Sequence, residues 1–198
     1  MKLLFLLFFI AAFSSLSAQD KELIYDDSSH IYRSLNEAMK NPEKVFRLNL
    51  SKSRLDTFPA EIFNFTNLTE LDLSKNKIDE IPPEIGRLSN LQILKMANNE
   101  LVHLPKEIGQ LLNLRILGLN RNVLVDLPET IGMLQNLEVL ELWDNELEII
   151  PDEISELQNL KVLELRGILF TDEEQHRIDS LVTRSAKIHM SPSCYCKE

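Results

Sequence analysis

The sequence predicts an α/β repeat solenoid, in which short strands from successive repeats align as one parallel sheet. An apolar residue opens a new unit every 23 residues, and two further apolar positions within each unit lie two residues apart, as on one face of a strand. An asparagine and a proline then recur at fixed places, which indicates a turn and a return path outside the sheet. The units open at Val45, Leu68, Leu91, Leu114, Leu137 and Leu160.

The first 18 residues are typical of a secretory signal peptide. Lys2 supplies positive charge, an apolar run of about 11 residues follows, and small residues lead to Ala18. The run is shorter than the roughly 20 residues that span a bilayer. Cleavage after Ala18 is the first choice and after Ser17 the second, and a buried N-terminal helix is the alternative. The sequence therefore predicts a secreted, periplasmic or cell-surface protein with no integral membrane segment after cleavage.

Residues 19–44 are predicted to form an N-terminal cap that contains a short helix. The segment 34–40 suits a helix, because Ser34 and Glu37 have the spacing of a capping box. Pro42 then ends the helix before the first strand. A cap is expected here because the end of a solenoid would otherwise expose its apolar interior.

Residues 45–167 contain five full units and one partial unit. In each strand, positions 4 and 6 of the unit, such as Leu71 and Leu73, are expected to face the core. An asparagine stands at position 9, where the chain leaves the sheet and its backbone groups lose their strand partners. Since an amide both donates and accepts, stacked asparagines are expected to form a buried ladder. The ladder residues are Asn76, Asn99, Asn122 and Asn145, and Ser53 occupies this position in the first unit.

The return path of each unit begins at a proline, which suits the first position of a short helical turn. Ile85 and Leu88, with their equivalents, are expected to point inward from this side. Each unit buries about seven apolar side chains, worth about 10–20 kcal/mol, while ordering its backbone costs about 1–2 kcal/mol per residue. A lone unit therefore cannot fold without neighbours. The prolines are Pro59, Pro82, Pro105, Pro128 and Pro151.

The second unit, residues 68–90, reads LTELDLSKNKIDEIPPEIGRLSN, and the other full units follow it closely. These residues resemble the leucine-rich-repeat family, in the variant that carries LPxxIxxLxNL, and they are similar to exported bacterial members. The resemblance covers 45–167 and implies a right-handed horseshoe, with a concave parallel sheet and short helical or irregular convex turns. It is specific for fold rather than for biochemical role, because the repeat is a scaffold.

Residues 168–198 are predicted to be a C-terminal cap helix, an edge strand and a tail. Thr171 and Glu174 repeat the capping-box spacing, and Ile178 begins an apolar face at helical intervals. Residues 187–190 suit the edge strand. The alternative is that this segment is a recognition helix.

The concave face, which we define as positions 3, 5 and 7 of each unit, is the predicted binding surface, with position 8 at its edge. Its C-terminal half combines an aliphatic stripe with Trp143, the only tryptophan, as anchor. Glu141, Asp144 and Arg121 would form its polar rim. The alternative is that Ile and Val are there because they favour strands. The predicted partner-binding residues are Ile93, Lys95, Ile116, Asn120, Arg121, Val139, Glu141, Trp143, Asp144, Val162 and Glu164.

Charge and motif content argue against nucleic-acid binding and catalysis. The formal net charge is −10, which repels phosphate backbones. The four histidines are scattered, and neither a hydrolase nor a nucleotide-binding motif is present. We therefore expect no enzyme activity, no cofactor and no metal. Cys194 and Cys196 are the only cysteines, and a disulfide, a metal site or a tail without a defined role all stay open for them.

The sequence thus predicts an exported, non-catalytic module that recognises a protein partner through its concave face. The alternative is a structural component of a cell envelope that binds a glycan or an envelope protein through its convex or lateral face.

Overall fold

A computed structural model describes residues 29–182 and 186–192, so the predicted signal peptide and both cysteines lie outside the described residues. The described chain forms one open, eight-stranded parallel sheet, in which the strands follow chain order. This confirms the predicted repeat solenoid. The strands are β1 (Ile31–Tyr32), β2 (Arg47–Asn49), β3 (Glu70–Asp72), β4 (Ile93–Lys95), β5 (Ile116–Gly118), β6 (Val139–Glu141), β7 (Val162–Leu165) and β8 (Lys187–Met190).

The strand register places equivalent positions of successive units side by side. In the central pairs Ile93 lies opposite Ile116 and Leu94 opposite Leu117, a shift of one whole unit. Positions 4 and 6 point away from the concave face and are fully buried, as Leu94 and Met96 show. The buried side chains form a single apolar core that runs from β1 to the C-terminal helix. The leucines of all units therefore share one interior, which is what makes a lone unit insufficient.

Each full unit returns to the sheet through one short 3₁₀ helix, and residues 42–44 form another before β2. The repeated proline takes the N-cap position, one residue before the first helical position expected from the sequence. It fits there because its extended backbone leads into the turn and its carbonyl accepts the N–H three residues later, as in Ile108 N–H to Pro105 O at 3.0 Å. The turns are Pro42–Lys44, Ala60–Asn64, Pro83–Arg87, Lys106–Gln110, Glu129–Met133 and Asp152–Glu156.

The position-9 asparagines are buried and bond to backbone groups of two units. The Asn99 side-chain amide donates to Leu73 O at 3.0 Å and to Met96 O at 2.9 Å, and its oxygen accepts the Ile78 N–H at 3.1 Å. Each amide therefore serves its own turn and the turn of the preceding unit. The same three-bond arrangement is found at Asn76, Asn122 and Asn145.

This direction of bonding explains why the first unit tolerates Ser53. The groups of the first turn, Leu50 O and Leu55 N–H, are bonded by Asn76 of the second unit. Ser53 itself is exposed and has no earlier repeat to serve. The ladder thus begins one unit late without leaving these two groups unsatisfied.

Position 8 of every unit has a left-handed backbone, which the sequence analysis did not predict. Five side-chain-bearing residues hold φ between 54° and 61° there, and Gly167 holds φ 77° in the sixth unit. Such a conformation costs about 1–2 kcal/mol for a residue with a Cβ, so the packed repeat must impose it. The five residues are Lys52, Lys75, Asn98, Arg121 and Asp144.

The ends of the solenoid are covered by short elements. Helix α1 (Leu35–Ala38) is a single turn, and Ser34 makes no side-chain cap bond, so the spacing with Glu37 does not produce a capping box. Strand β1 was not predicted, because two residues are too few to show an alternating pattern. Helix α2 (Asp172–Leu181) begins at Thr171, whose hydroxyl accepts the Glu174 N–H at 3.2 Å.

Helix α2 is attached to the last full unit through Arg177 and Glu174, which also pair with each other within the helix. Arg177 bonds Glu174 at 2.7 Å and also contacts Asp152 and the Ile150 carbonyl. Glu174 is 12 % exposed and accepts the Ile150 N–H at 2.9 Å. The hydrogen bond from Arg177 is the main cause that lowers the pKa of Glu174 below its ordinary value of 4.5, and the Ile150 N–H adds to it. The carboxylate form is therefore the one that stabilises this attachment.

We expect Glu174→Gln to lower the free energy of unfolding at neutral pH by about 1–2 kcal/mol, since it removes a charge-assisted hydrogen bond. The pKa of Glu174 is lowered in the folded state, so the stability that its carboxylate contributes is complete above about pH 4.5. That stability is lost as the pH falls through the folded-state pKa. In urea denaturation, the difference in free energy of unfolding between wild type and Glu174→Gln should disappear as the pH is lowered. Glu173→Gln, an exposed neighbour, is the control, and a gap that persists at acid pH would contradict the assignment.

Candidate functional site

An aliphatic row crosses four neighbouring strands of the concave face. Ile93, Ile116, Val139 and Val162 are paired in register from β4 to β7. At about 4.8 Å per strand the row is about 14 Å long, and its members are half-buried. The row ends beside Glu70 in β3 and Lys187 in β8. An apolar strip framed by charges is a surface that a partner's apolar side chains can cover.

Trp143 follows β6 by two residues, with Glu141 between it and Val139 of the row. The Arg121 guanidinium lies over the Trp143 ring, 4.7 Å from its centroid, and Arg121 Nε is 3.4 Å from the Asp144 carboxylate. Arg121 and Asp144 hold their left-handed position-8 backbones and are about half exposed. Arg121 therefore links the three side chains, because its guanidinium contacts both the Trp143 ring and the Asp144 carboxylate.

In the position-5 row a glycine lies between two charged side chains. Gly118 lies between Lys95 and Glu141 in the strand register. A Cβ at Gly118 would be 3.2 Å from Glu141 Oε2 and 3.8 Å from Lys95 Cγ, so both neighbours lean over the glycine. Gly118 is buried, and the opposite charges of Lys95 and Glu141 face each other across it in the position-5 row.

Asn120 differs from the expectation for a contact residue. It occupies position 7 beside Trp143, but only 7 % of it is exposed. Asn120 O also accepts the Asn98 N–H at 3.0 Å, which belongs to the turn rather than to the open surface. Its side chain is thus poorly available to a partner, because the neighbouring side chains and the turn enclose it.

Arg166 and His189, which the sequence analysis did not assign to the site, complete its C-terminal border through Glu164. Glu164 is 14 % exposed and is bonded by Arg166 Nε at 3.0 Å and by the His189 ring. His189 reaches the site because β8 pairs with β7 and places it opposite Glu164. No spacing in the sequence links His189 to Glu164 and Arg166, since the cap helix lies between them in the chain.

A second surface, which we call the lateral groove, lies at the N-terminal ends of the strands. It has a volume of about 480 Å³ and is polar. Arg115 and Lys161 both bond Glu138, and the bond from Lys161, followed by that from Arg115, lowers the pKa of Glu138. The groove is lined by Gln92, Asn113, Arg115, Asn136, Glu138, Asn159 and Lys161.

The asparagines of the lateral groove form a second row, at the last position of each unit. Each donates one side-chain N–H to a carbonyl of the preceding unit, as in Asn136 to Leu112 O at 2.8 Å. Unlike the buried ladder, these amides are exposed. They leave amide oxygens and second N–H groups available to solvent or a ligand.

Within residues 29–182 and 186–192, no cluster of three His, Cys, Asp or Glu side chains has a geometry suited to a metal ion. The same residues contain no helix with the length and apolar character needed to cross a membrane.

The comparisons with known proteins agree on one family. A model described as a leucine-rich repeat region matches residues 97–183, and one described as leucine rich repeat matches residues 43–101 and 66–124. A search of curated proteins gives no match to this chain. The matched family models together span most of the chain.

Solved structures of similar proteins come from a bacterium and from plants. A leucine-rich-repeat protein of Leptospira interrogans is 38% identical with a TM-score of 0.63, over 82% of this chain and 49% of that chain. A plant peptide hormone receptor, RGFR1 in complex with RGF2, is 35% identical with a TM-score of 0.61, over 72% and 24%. The ectodomain of an Arabidopsis thaliana membrane receptor kinase, GASSHO1/SCHENGEN3 in complex with CASPARIAN STRIP INTEGRITY FACTOR 2, is 28% identical with a TM-score of 0.53, over 71% and 20%.

The solenoid with its asparagine ladder defines a repeat scaffold, of the class that typically binds other molecules rather than catalysing reactions. The chain belongs to the leucine-rich-repeat family. It spans about half of the Leptospira protein and a quarter or less of the two plant receptors.

Proposed function

We propose that this chain is an exported recognition module that binds a protein partner through the C-terminal half of its concave face. The observation that carries the proposal is the in-register aliphatic row from Ile93 to Val162, together with the Arg121–Trp143 cluster just beyond the end of β6. Aromatic residues and arginine dominate the energetics of protein interfaces. A repeat scaffold presents such residues on a rigid sheet, so little conformational entropy is lost on binding.

Three kinds of further observation support the proposal. Both similar plant receptors were solved in complex with a partner, and one of them is a peptide hormone receptor. The apolar segment after Lys2 supports export, as does the extracellular nature of the receptor-kinase ectodomain. The net charge of −10 favours a protein over a nucleic acid as partner.

The test is a pull-down with the purified chain, which compares wild type with the Ile116→Ala/Trp143→Ala variant. We expect the captured partner to lose about 30-fold or more in affinity, since a hot-spot residue contributes about 2 kcal/mol or more. Leu112→Ala, which changes a 54 % exposed leucine away from the concave face, should leave affinity unchanged. Thermal unfolding of each variant checks that the fold is kept.

The second candidate function is a structural envelope role in which the lateral groove binds a glycan. The exposed amide row and the Arg115–Glu138–Lys161 group favour it, because polar side chains with free hydrogen-bonding capacity match sugar hydroxyls. The same pull-down includes an Arg115→Ala/Lys161→Ala variant for this reason. Capture that depends on these two residues and survives Trp143→Ala would contradict the concave-face proposal and favour the glycan role.

A further inference from the structure

A cleft of about 700 Å³ lies between the fifth unit and the start of helix α2, and none of its lining residues is one of the concave-face residues described above. The cleft is lined by Leu147 and Ile149 of the fifth unit and by Ile168 and Leu169 of the sixth. Ile149 is 62 % exposed and Leu169 is 71 % exposed. Two large aliphatic side chains at the mouth of one cleft expose an apolar surface that needs an explanation.

The other repeats act as an internal comparison for these two positions. Ile149 stands at position 13, where the other four full units carry polar residues, namely Thr57, Glu80, His103 and Asp126. Leu169 stands at position 10, which is charged in four of the other five units. The scaffold therefore does not require apolar side chains at either position, and their exposure is particular to the cleft.

The rim of the cleft is acidic. Glu146, Glu148 and Glu173 are exposed, and among the described residues none of them forms an ion pair. The fourth carboxylate, Glu174, is neutralised by Arg177. Three carboxylates without cationic partners around an apolar floor favour an occupant that carries both aliphatic and cationic groups.

The cleft also marks the end of the asparagine ladder. In earlier units the position-11 N–H donates to the next unit's asparagine, as Leu124 N–H does to Asn145 at 3.1 Å. At the corresponding place in the sixth unit stands Ile168, so the Leu147 N–H has no such acceptor within the described part of the chain. Leu147 and Ile168 both line the cleft. A peptide, unlike a lipid chain, brings carbonyl oxygens that can accept from such a donor.

We propose that this cleft is a second docking site, which takes a segment of a partner protein with a large aliphatic or aromatic side chain next to lysine or arginine. The carboxylate rim favours the cations, and Ile149 and Leu169 cover the apolar side chain. A second copy of this chain is disfavoured as occupant, because both copies carry a net charge of −10. The site is independent of the concave face and goes beyond the function proposed above.

The test is a selection of random peptides displayed on phage against the immobilised, purified chain. We expect the enriched peptides to combine Lys or Arg with Leu, Ile, Met or Phe. Their affinity should fall at least about 10-fold for Leu169→Asp, which adds a like charge to the acidic rim. Leu112→Asp, at an exposed leucine outside the cleft, should bind as wild type does. Glu146→Gln/Glu148→Gln/Glu173→Gln should also weaken binding and reduce its salt dependence.

Several outcomes would overturn the proposal. They are an absence of enriched peptides, enrichment of acidic peptides, or equal binding to wild type and Leu169→Asp. Concentration-dependent dimers that Leu169→Asp abolishes would show that a second copy fills the cleft instead. Peptides that depend on Trp143 but not on Leu169 would belong to the concave face and count against the cleft. Failure of the concave-face pull-down leaves this test unaffected, so the two proposals fail separately.

Discussion

Asn145→Ala is expected to lower the free energy of unfolding by about 2–5 kcal/mol, because it leaves two buried backbone groups without partners. The Asn145 amide donates to Leu142 O at 2.6 Å, and its oxygen accepts the Leu124 N–H at 3.1 Å. No other hydrogen bond to Leu142 O is present among the described residues. The third partner, Leu119 O, keeps a bond from Asn122.

Replacing an interior asparagine of the ladder should lower the free energy of unfolding less than replacing Asn145, the last one. In Asn99→Ala, Leu73 O keeps its bond from Asn76 and Met96 O keeps its bond from Asn122. Only the Ile78 N–H is left unsatisfied. We therefore expect a loss of about 1–3 kcal/mol. Asn145→Ala is expected to cost more than Asn99→Ala because both carbonyls that Asn99 bonds are also bonded by a second asparagine, whereas Leu142 O, in the residues that the structure describes, is bonded by Asn145 alone.

Urea denaturation of both variants measures this order, with Asn136→Ala as control. Asn136 is an exposed asparagine of the lateral groove with one side-chain bond, to Leu112 O at 2.8 Å. Its loss should cost no more than about 1 kcal/mol. An unchanged denaturation midpoint for Asn145→Ala, or an effect equal to that of Asn136→Ala, would show that the ladder does not support the fold in this way.

Gly109→Ala is expected to destabilise the protein by about 1–3 kcal/mol through overpacking. Gly109 lies in the 3₁₀ turn Lys106–Gln110, which packs against the next turn, Glu129–Met133. A Cβ at Gly109 would lie 2.4 Å from the Thr130 carbonyl oxygen and 2.7 Å from Thr130 Cβ. Because the nearest obstacle is backbone, the two turns would have to move apart.

The matched control is Gly86→Ala, at the same position of the preceding unit. There the added Cβ would meet the side-chain end of Gln110, with Oε1 at 2.2 Å, and that flexible group can rotate away. We expect a change within about 0.5 kcal/mol, offset in part by the lower entropy of the unfolded chain with alanine. Thermal unfolding of the two variants decides the matter, since equal effects would contradict close backbone packing at Gly109.

These glycines illustrate what the sequence analysis missed. The repeat pattern treats the residue after the inward-facing isoleucine as variable, and nothing local distinguishes Gly86 from Gly109. Their difference depends on what the next unit places opposite each glycine, which is 21 to 24 residues further along the chain. The same holds for Asn120, which was expected on the open face but lies enclosed beside Trp143.

The sequence by itself determined the repeat length, the strands of the repeats, the inward leucines and the positions of the ladder asparagines and prolines. It could do so because every unit meets a neighbour of the same pattern, so the local pattern also specifies the packing between units. Only the tertiary structure decided which carbonyls two asparagines share, that Arg121 covers Trp143 and that His189 reaches Glu164. It also decided that a cleft with an acidic rim forms against helix α2. Those features depend on individual side chains from different units or from the cap, and such contacts have no period in the sequence.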